Sequence, residues 1–268
     1  MVPTSSIVFM AVAGLMAAAL AVVPAIVIWR RYKPSILSFF IGAGTFFVFA
    51  MVLESLMHAV VLRSSIGETI QASTWLFALY GGLAAGIFEE TGRLVSMSFL
   101  MKKQHDRPAN ALMYGAGHGG CEALLIVGVT QIVNISLAVA LNTGQLATME
   151  ESLPADQREA LTPVIEQLTT TAPHLFLLSG FERITAVILH LSFSVLVWAA
   201  VTHRMPLLYI LAIILHAGVD GLLVVLQRGG MDMVLLEVIL FVLAVGCAAI
   251  AWIVWKRCLD PAPAPEQE

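Results

Sequence analysis

The chain has 268 residues, of which 59% are Ala, Val, Ile, Leu, Met, Phe, Trp, Tyr or Cys and only 12% are Asp, Glu, Lys or Arg. That charged share is about half of the ~25% typical of soluble domains, and the mean hydropathy of +0.90 points the same way, so a soluble fold is excluded and one bilayer domain is expected. A formal charge of −4 without a basic run argues against nucleic-acid binding. Cys121, Cys247 and Cys258 are too widely spaced for a metal finger or a disulfide framework.

A helix crossing the hydrocarbon core needs about 20 mostly apolar residues. Reading the chain in order gives seven such runs: Ser6 to Trp29, Ile36 to Leu62, Ala72 to Met101, Ala109 to Leu141, His174 to Val201, Pro206 to Leu226 and Met233 to Trp255. The expected fold is therefore an all-α polytopic membrane bundle, a single domain over residues 1–259 with a site region at 72–226. The connection from Asn142 to Pro173 is polar and acidic, with a short helix expected from Pro154 to Leu168. Residues 260–268 (DPAPAPEQE) form a Pro-rich tail expected to be disordered.

Basic residues set the expected orientation. The first run has no Lys or Arg before it and Arg30, Arg31 and Lys33 directly after it, the reverse of a signal peptide. With the N-terminus outside, nine basic residues fall on the inner side and only Arg63, Arg158 and Arg228 on the outer side, leaving Arg93 and Arg183 within spans. The C-terminus is then cytoplasmic, and the chain reads as a multi-pass protein of a bacterial cytoplasmic membrane.

Charges inside spans cost at least ~2.5 kcal/mol each on insertion scales, so they should face a protein interior or a watery cavity. The third run carries Glu89, Glu90 and Arg93, the fourth His118 and Glu122, the fifth Glu182, Arg183 and His190, and the sixth His216 and Asp220. Glu89, His118, His190 and His216 lie 11 to 13 positions from their inner boundaries, or about 16 to 20 Å deep at ~1.5 Å per residue. Four polar groups from four helices at one level point to one shared site.

Glu89 and Arg93, His118 and Glu122, and His216 and Asp220 are spaced i,i+4, so each histidine of these pairs could be oriented by a carboxylate on its own helix. Arg93 reads as the counter-charge of Glu89 or Glu90. Glu182 with Arg183 reads as an interfacial pair, Glu54 with His58 as a pair near the outer end of its span, and Glu237 as an interfacial carboxylate. Cys121 diverges by about 100° from its helix neighbours and should point away from the face holding His118 and Glu122. The glycines near these motifs, Gly81, Gly82, Gly86, Gly115, Gly117, Gly119 and Gly120, could serve a packing seam or a turn that exposes backbone N–H groups.

FEETGR at residues 88–93, YGAGHGGCEA at 114–123, a later His190 and a final HAGVD at 216–220 together resemble the YhfC family of predicted intramembrane metalloproteases. That family looks like a distant branch of the superfamily containing CAAX-prenyl proteases and bacteriocin-processing enzymes. The resemblance covers about Ala72 to Leu226. It implies an EExxR motif at Glu89, Glu90 and Arg93, with Glu89 the general base for a hydrolytic water, and an aromatic-xxx-His motif at Tyr114 and His118. The later histidines fall on His190 and His216. Asp220 stands where the prenyl-protease branch has Asn, which favours orientation of His216 or metal ligation over hydrogen-bond donation.

The function so implied is peptide-bond hydrolysis in or near the membrane, acting on a membrane-associated peptide or protein. Its expected catalytic residues are Glu89, Glu90, His118, His190, His216 and Asp220, supported by Arg93, Tyr114 and Glu122. His118, His190 and His216 are candidate ligands of a Zn²⁺ ion. Two other readings stay open: an ion-coupled transporter using the same midplane groups, and a haem protein with paired histidine ligands. A retinal photoreceptor does not fit, because Lys33, Lys102, Lys103 and Lys256 all lie at span ends.

Overall fold

The computed structural model describes residues 1–152 and 154–259, and among them there is no strand. The tail at 260–268 and its expected disorder lie outside the described residues. Apart from a 3-10 turn at Lys102–Gln104, ten helices follow one another among the described residues: α1 (Thr4–Tyr32), α2 (Ile36–Val61), α3 (Ser65–Ala72), α4 (Thr74–Leu100), α5 (Ala109–Asn142), α6 (Gln145–Ser152), α7 (Ala155–Thr170), α8 (Pro173–Thr202), α9 (Pro206–Arg228) and α10 (Met233–Leu259). Six of them (α1, α2, α5, α8, α9 and α10) are long and apolar enough to cross a membrane, and α3 with α4 makes a seventh if that bent pair counts as one span.

Local chemistry sets the helix ends. Lys33 ends α1 in the left-handed region at φ 50°, and its N–H donates to the Trp29 carbonyl. Pro173 and Pro206 open α8 and α9 at the position where a missing N–H costs nothing. Asp232 caps α10, its carboxylate accepting from the N–H groups of Val234 and Leu235 at 3.0 and 3.1 Å. Ser73 is extended, its hydroxyl accepts from the Leu76 N–H to start α4, and the chain bends by 111° there. The third span, expected from Ala72 to Met101, is α4, and just before it a polar turn diverts the chain so that α3 leaves the axis of α4.

The connection at 142–173 holds two helices, α6 and α7, rather than the single one expected. Leu168 of α7 closes over Met10, Ala138 and Phe176 at one end of the bundle. Asn142 ties the same end together: its side chain accepts from the Val2 N–H and donates to the Val2 carbonyl, both at 2.8 Å.

The most apolar window of α8 is 78% buried, against 17 to 28% for the other five spans, so α8 is the pillar around which they pack. Helices buried on all sides are apolar all round, and α8 accordingly places Phe193, Leu196, Trp198 and Ala199 in the core beside Met97, Tyr114, Ala212 and Leu240.

The glycines act through close approach. A Cβ at Gly117 would lie 2.0 Å from the Phe39 carbonyl oxygen, and one at Gly82 would lie 2.4 Å from that of Ala217. These residues let α5 lie against α2 and α4 against α9. The stretch from Gly115 to Gly120 is continuous helix, so its N–H groups are spent in the helix and the exposed turn is not formed.

Candidate active site

Four helices deliver the site. Glu89 and Glu90 come from α4, His118 and Glu122 from α5, His190 from α8 and His216 from α9, all buried at 9% exposure or less. The common depth expected of Glu89, His118, His190 and His216 is matched by contact. His118 Nε2–H donates to Glu89 Oε2 at 2.8 Å, His190 Nδ1 lies 3.8 Å from the same oxygen, and His216 Nε2 lies 4.0 Å from Glu89 Oε1.

Aromatic walls hold the rings. His118 meets the Phe46 edge at 5.3 Å and lies 4.9 Å from the His190 ring, centroid to centroid. His216 stacks on Phe193 at 5.0 Å. Tyr114 lies 6.1 Å from His118 by ring centroids and is fully buried. Tyr114 is thus a wall of the His118 pocket. Phe46 and Phe193 were not singled out in the sequence, where nothing separates them from other apolar residues.

Arg93 is fully buried and spans the cluster. Nη1 donates to Glu90 Oε1, Nη2 donates to His190 Nδ1 at 2.5 Å, and Nη2 also lies 3.7 Å from Glu89 Oε2. A guanidinium has donors only, so His190 Nδ1 must accept and the proton of a neutral ring sits on Nε2. Glu90 Oε1 also accepts from His216 Nδ1–H at 2.7 Å, which leaves the lone pair of a neutral His216 on Nε2. Asp220 Oδ2 lies 3.5 Å from that Nε2 at the rim, with 38% of its side chain exposed.

One expected pairing differs, and another is present but buried and extended to a third residue. Glu122 was read as the partner of His118, one turn away on α5. Instead Glu122 Oε1 accepts from Arg183 at 2.5 Å and Oε2 faces His190 Nε2, while His118 turns to Glu89. Shared helix face makes an i,i+4 pair possible, but here the cross-helix partners lie closer. Arg183 was read as half of an interfacial pair. It is buried and bridges Glu122 to Glu182. Its position seven residues before His190, two turns along one face of α8, was the available signal.

Glu54 and His58 do pair, at 3.2 Å, and His58 Nδ1 meets the Tyr80 hydroxyl at 2.7 Å, apart from the donors above. Glu237 lines an apolar groove between α8 and α10. Cys121 is a free thiol beside Glu122, partly exposed.

A cavity of about 100 Å³ opens against these groups, lined by Glu89, Glu122, His190 and His216 on the polar side and by Phe193, Leu223 and Leu240 on the apolar side. Glu89, His118 and His190 each offer one ligand atom, and the three atoms lie within 4.8 Å of one another. Two imidazoles and a carboxylate, buried together, are a donor set that suits a divalent transition ion with one open position. The Arg93 Nη2 cation already rests against two of the three. The expected trio of histidines is therefore not the one that distance selects: Glu89 replaces His216, which is held back by Glu90.

No solved structure matches the chain. It is 40% identical over 260 residues, 95% of its length and 97% of the relative's, to a protein of Bacillus subtilis (strain 168) described as "Uncharacterized membrane protein YhfC". The family model described as "YhfC intramembrane metalloprotease" matches residues 16–240, a range that contains every donor above, and this multi-pass membrane protein belongs to that family.

Proposed function

We propose that the chain is a metal-dependent intramembrane peptidase that hydrolyses a peptide bond of a membrane-associated peptide or protein substrate. The observation that carries this is the buried Glu89, His118 and His190 donor set, of which Glu89 and His190 line a cavity inside the bundle. These three residues would hold a Zn²⁺ ion, which when bound supplies Lewis acidity for the scissile carbonyl and for the attacking water.

The chain's own groups then place and deprotonate that water. Glu89 Oε1 and His216 Nε2 are 4.0 Å apart, too far for a hydrogen bond, but a water about 2.8 Å from both spans the gap. Glu89 Oε1 accepts one hydrogen of such a water, whose oxygen then faces the cavity. Glu89 takes one proton as the water attacks the carbonyl carbon, and passes it to the leaving amine as the C–N bond breaks. Glu90 holds His216 by accepting from its Nδ1–H, and Arg93 pairs with Glu90. Asp220 steadies the outer edge of His216.

The haem reading is disfavoured by size, since about 100 Å³ is well below the ~300 Å³ at which cofactor pockets begin. The test is a comparison of membrane proteomes from cells carrying the wild-type chain, Glu89→Gln or His118→Ala. An uncut precursor should accumulate in both variants while each still inserts and folds, with turnover down by about 10²- to 10⁴-fold. Normal processing by both variants would sink the assignment.

A further inference from the structure

We propose that the seam between α1 and α10 binds one anionic phospholipid, with an acyl chain in an apolar groove and the phosphate between Arg31 and Lys256. The site is separate from the candidate active site, since the groove and the cavity share no lining residue.

α1 and α10 both pack on α8 but not closely on each other, which leaves a groove of about 260 Å³ with α8 as its floor. Leu191 and Val195 line the floor, and the small side chains of Ala248 and Ala251 hollow the α10 wall. Ser192 also lies in the floor, but its hydroxyl donates to the Ile188 carbonyl at 2.7 Å and is spent there. The floor therefore offers no free hydroxyl and suits a hydrocarbon chain. From Trp255 the groove runs two turns toward Ala248, about 10 Å along α10 and into the depth of the bundle.

The end of the groove is basic. Arg30 and Arg31 close α1 and Lys256 and Arg257 close α10, with no Asp or Glu within two turns of them on either helix among the described residues. Two of these cations are tied to the groove through its own aromatic lining. The Arg31 guanidinium lies 5.7 Å over the Tyr32 ring, and the Lys256 ammonium lies 5.1 Å over a Trp252 ring. Tyr32 and Trp255 bridge α1 and α10 at the same end, their ring centroids 6.4 Å apart, while Trp252 is 60% exposed at the rim. Tyr and Trp rings settle at the headgroup level of a bilayer, and basic pockets between spans attract anionic headgroups. A phosphate held there sends its acyl chain down past Ala251 and Ala248, the direction a lipid takes in its leaflet. A zwitterionic lipid fits the same groove but brings its own cation beside Arg31 and Lys256, so charge selects the anionic one.

The test is native mass spectrometry of the full-length protein released from nanodiscs made of equal parts phosphatidylglycerol and phosphatidylcholine. One phosphatidylglycerol should stay bound at least about tenfold more often than phosphatidylcholine. Replacing both cations, Arg31→Gln with Lys256→Gln, should cut that retention by about 20-fold, roughly fivefold for each charge removed. Lys103→Gln, at the same end of the bundle but outside the groove, should change it by less than about twofold. Ala248→Phe fills the groove beside intact cations and should displace the lipid; if that variant fails to fold, the exposed Arg31 and Lys256 changes carry the test. Equal retention of the two lipids, retention within about twofold after loss of both cations, or an equal loss in Lys103→Gln overturns the site. Displacement of the lipid by excess inorganic phosphate would also overturn it, because the cations would then serve a free anion and not a headgroup held by its chain.

Discussion

Arg93 is the residue on which the charge balance of the bundle turns. It is fully buried, neutralises Glu90 and reaches His190 with its second nitrogen. Deleting one partner of a buried ion pair typically costs about 3 to 5 kcal/mol because the other charge is left uncompensated. Arg93→Met should therefore lower the thermal midpoint of the purified protein sharply, whereas Arg93→Lys should fall between that variant and the wild type. Cys121 provides the contrast: a free thiol outside the donor set, so Cys121→Ser should cleave the accumulated precursor at the wild-type rate. At this scale the sequence was most informative, because a Glu, His or Arg inside an apolar run is visible as an expense that something must offset. What it could not reveal was the pairing. Glu122 is one turn from His118, and only the approach of α8 decides that it serves His190 and Arg183 instead.

Between helices, the contacts that bring these residues together depend on missing side chains. Gly117 lies in α5 where a methyl group would meet the Phe39 carbonyl oxygen of α2, while a methyl group at Gly81 of α4 would meet nothing within 4 Å. Gly117→Ala should thus cost about 1 to 3 kcal/mol by forcing α5 from α2, and Gly81→Ala should change stability by less than about 1 kcal/mol. Thermal unfolding in detergent compares the two directly, and equal effects would contradict the close-packing account. Helix positions were legible from hydropathy nearly to the residue: α2 was expected from Ile36 to Leu62 and runs Ile36–Val61. The break at Ser73 was less legible, because a serine flanked by helix-compatible residues reads equally well as a cap or as an interior position.

For the molecule as a whole, the distribution of basic residues predicts an N-terminus outside and a C-terminus in the cytoplasm. A phosphatase that works only outside the cytoplasm should be active when fused before α1 and inactive when fused after α10, and a fluorescent protein that matures only in the cytoplasm should show the reverse. The same pattern with the two fusions exchanged would overturn the orientation and invert the direction from which the cavity is reached. The central place of α8 was hidden in the sequence, since five other spans have similar or greater mean hydropathy and only packing separates the enclosed helix from the lipid-facing ones.

That central helix is also the fifth of seven candidate spans in chain order. During synthesis Glu89 and His118 enter the bilayer well before His190 and His216 have left the ribosome, and Glu122 must wait about 60 residues for Arg183. Until then, α1 to α5 have no pillar to close on and the three donors do not exist as a group. A nascent or prematurely terminated chain therefore carries the first half of the motifs without the helix that gathers them, so the order of translation itself delays assembly of the donor group until the protein is nearly complete.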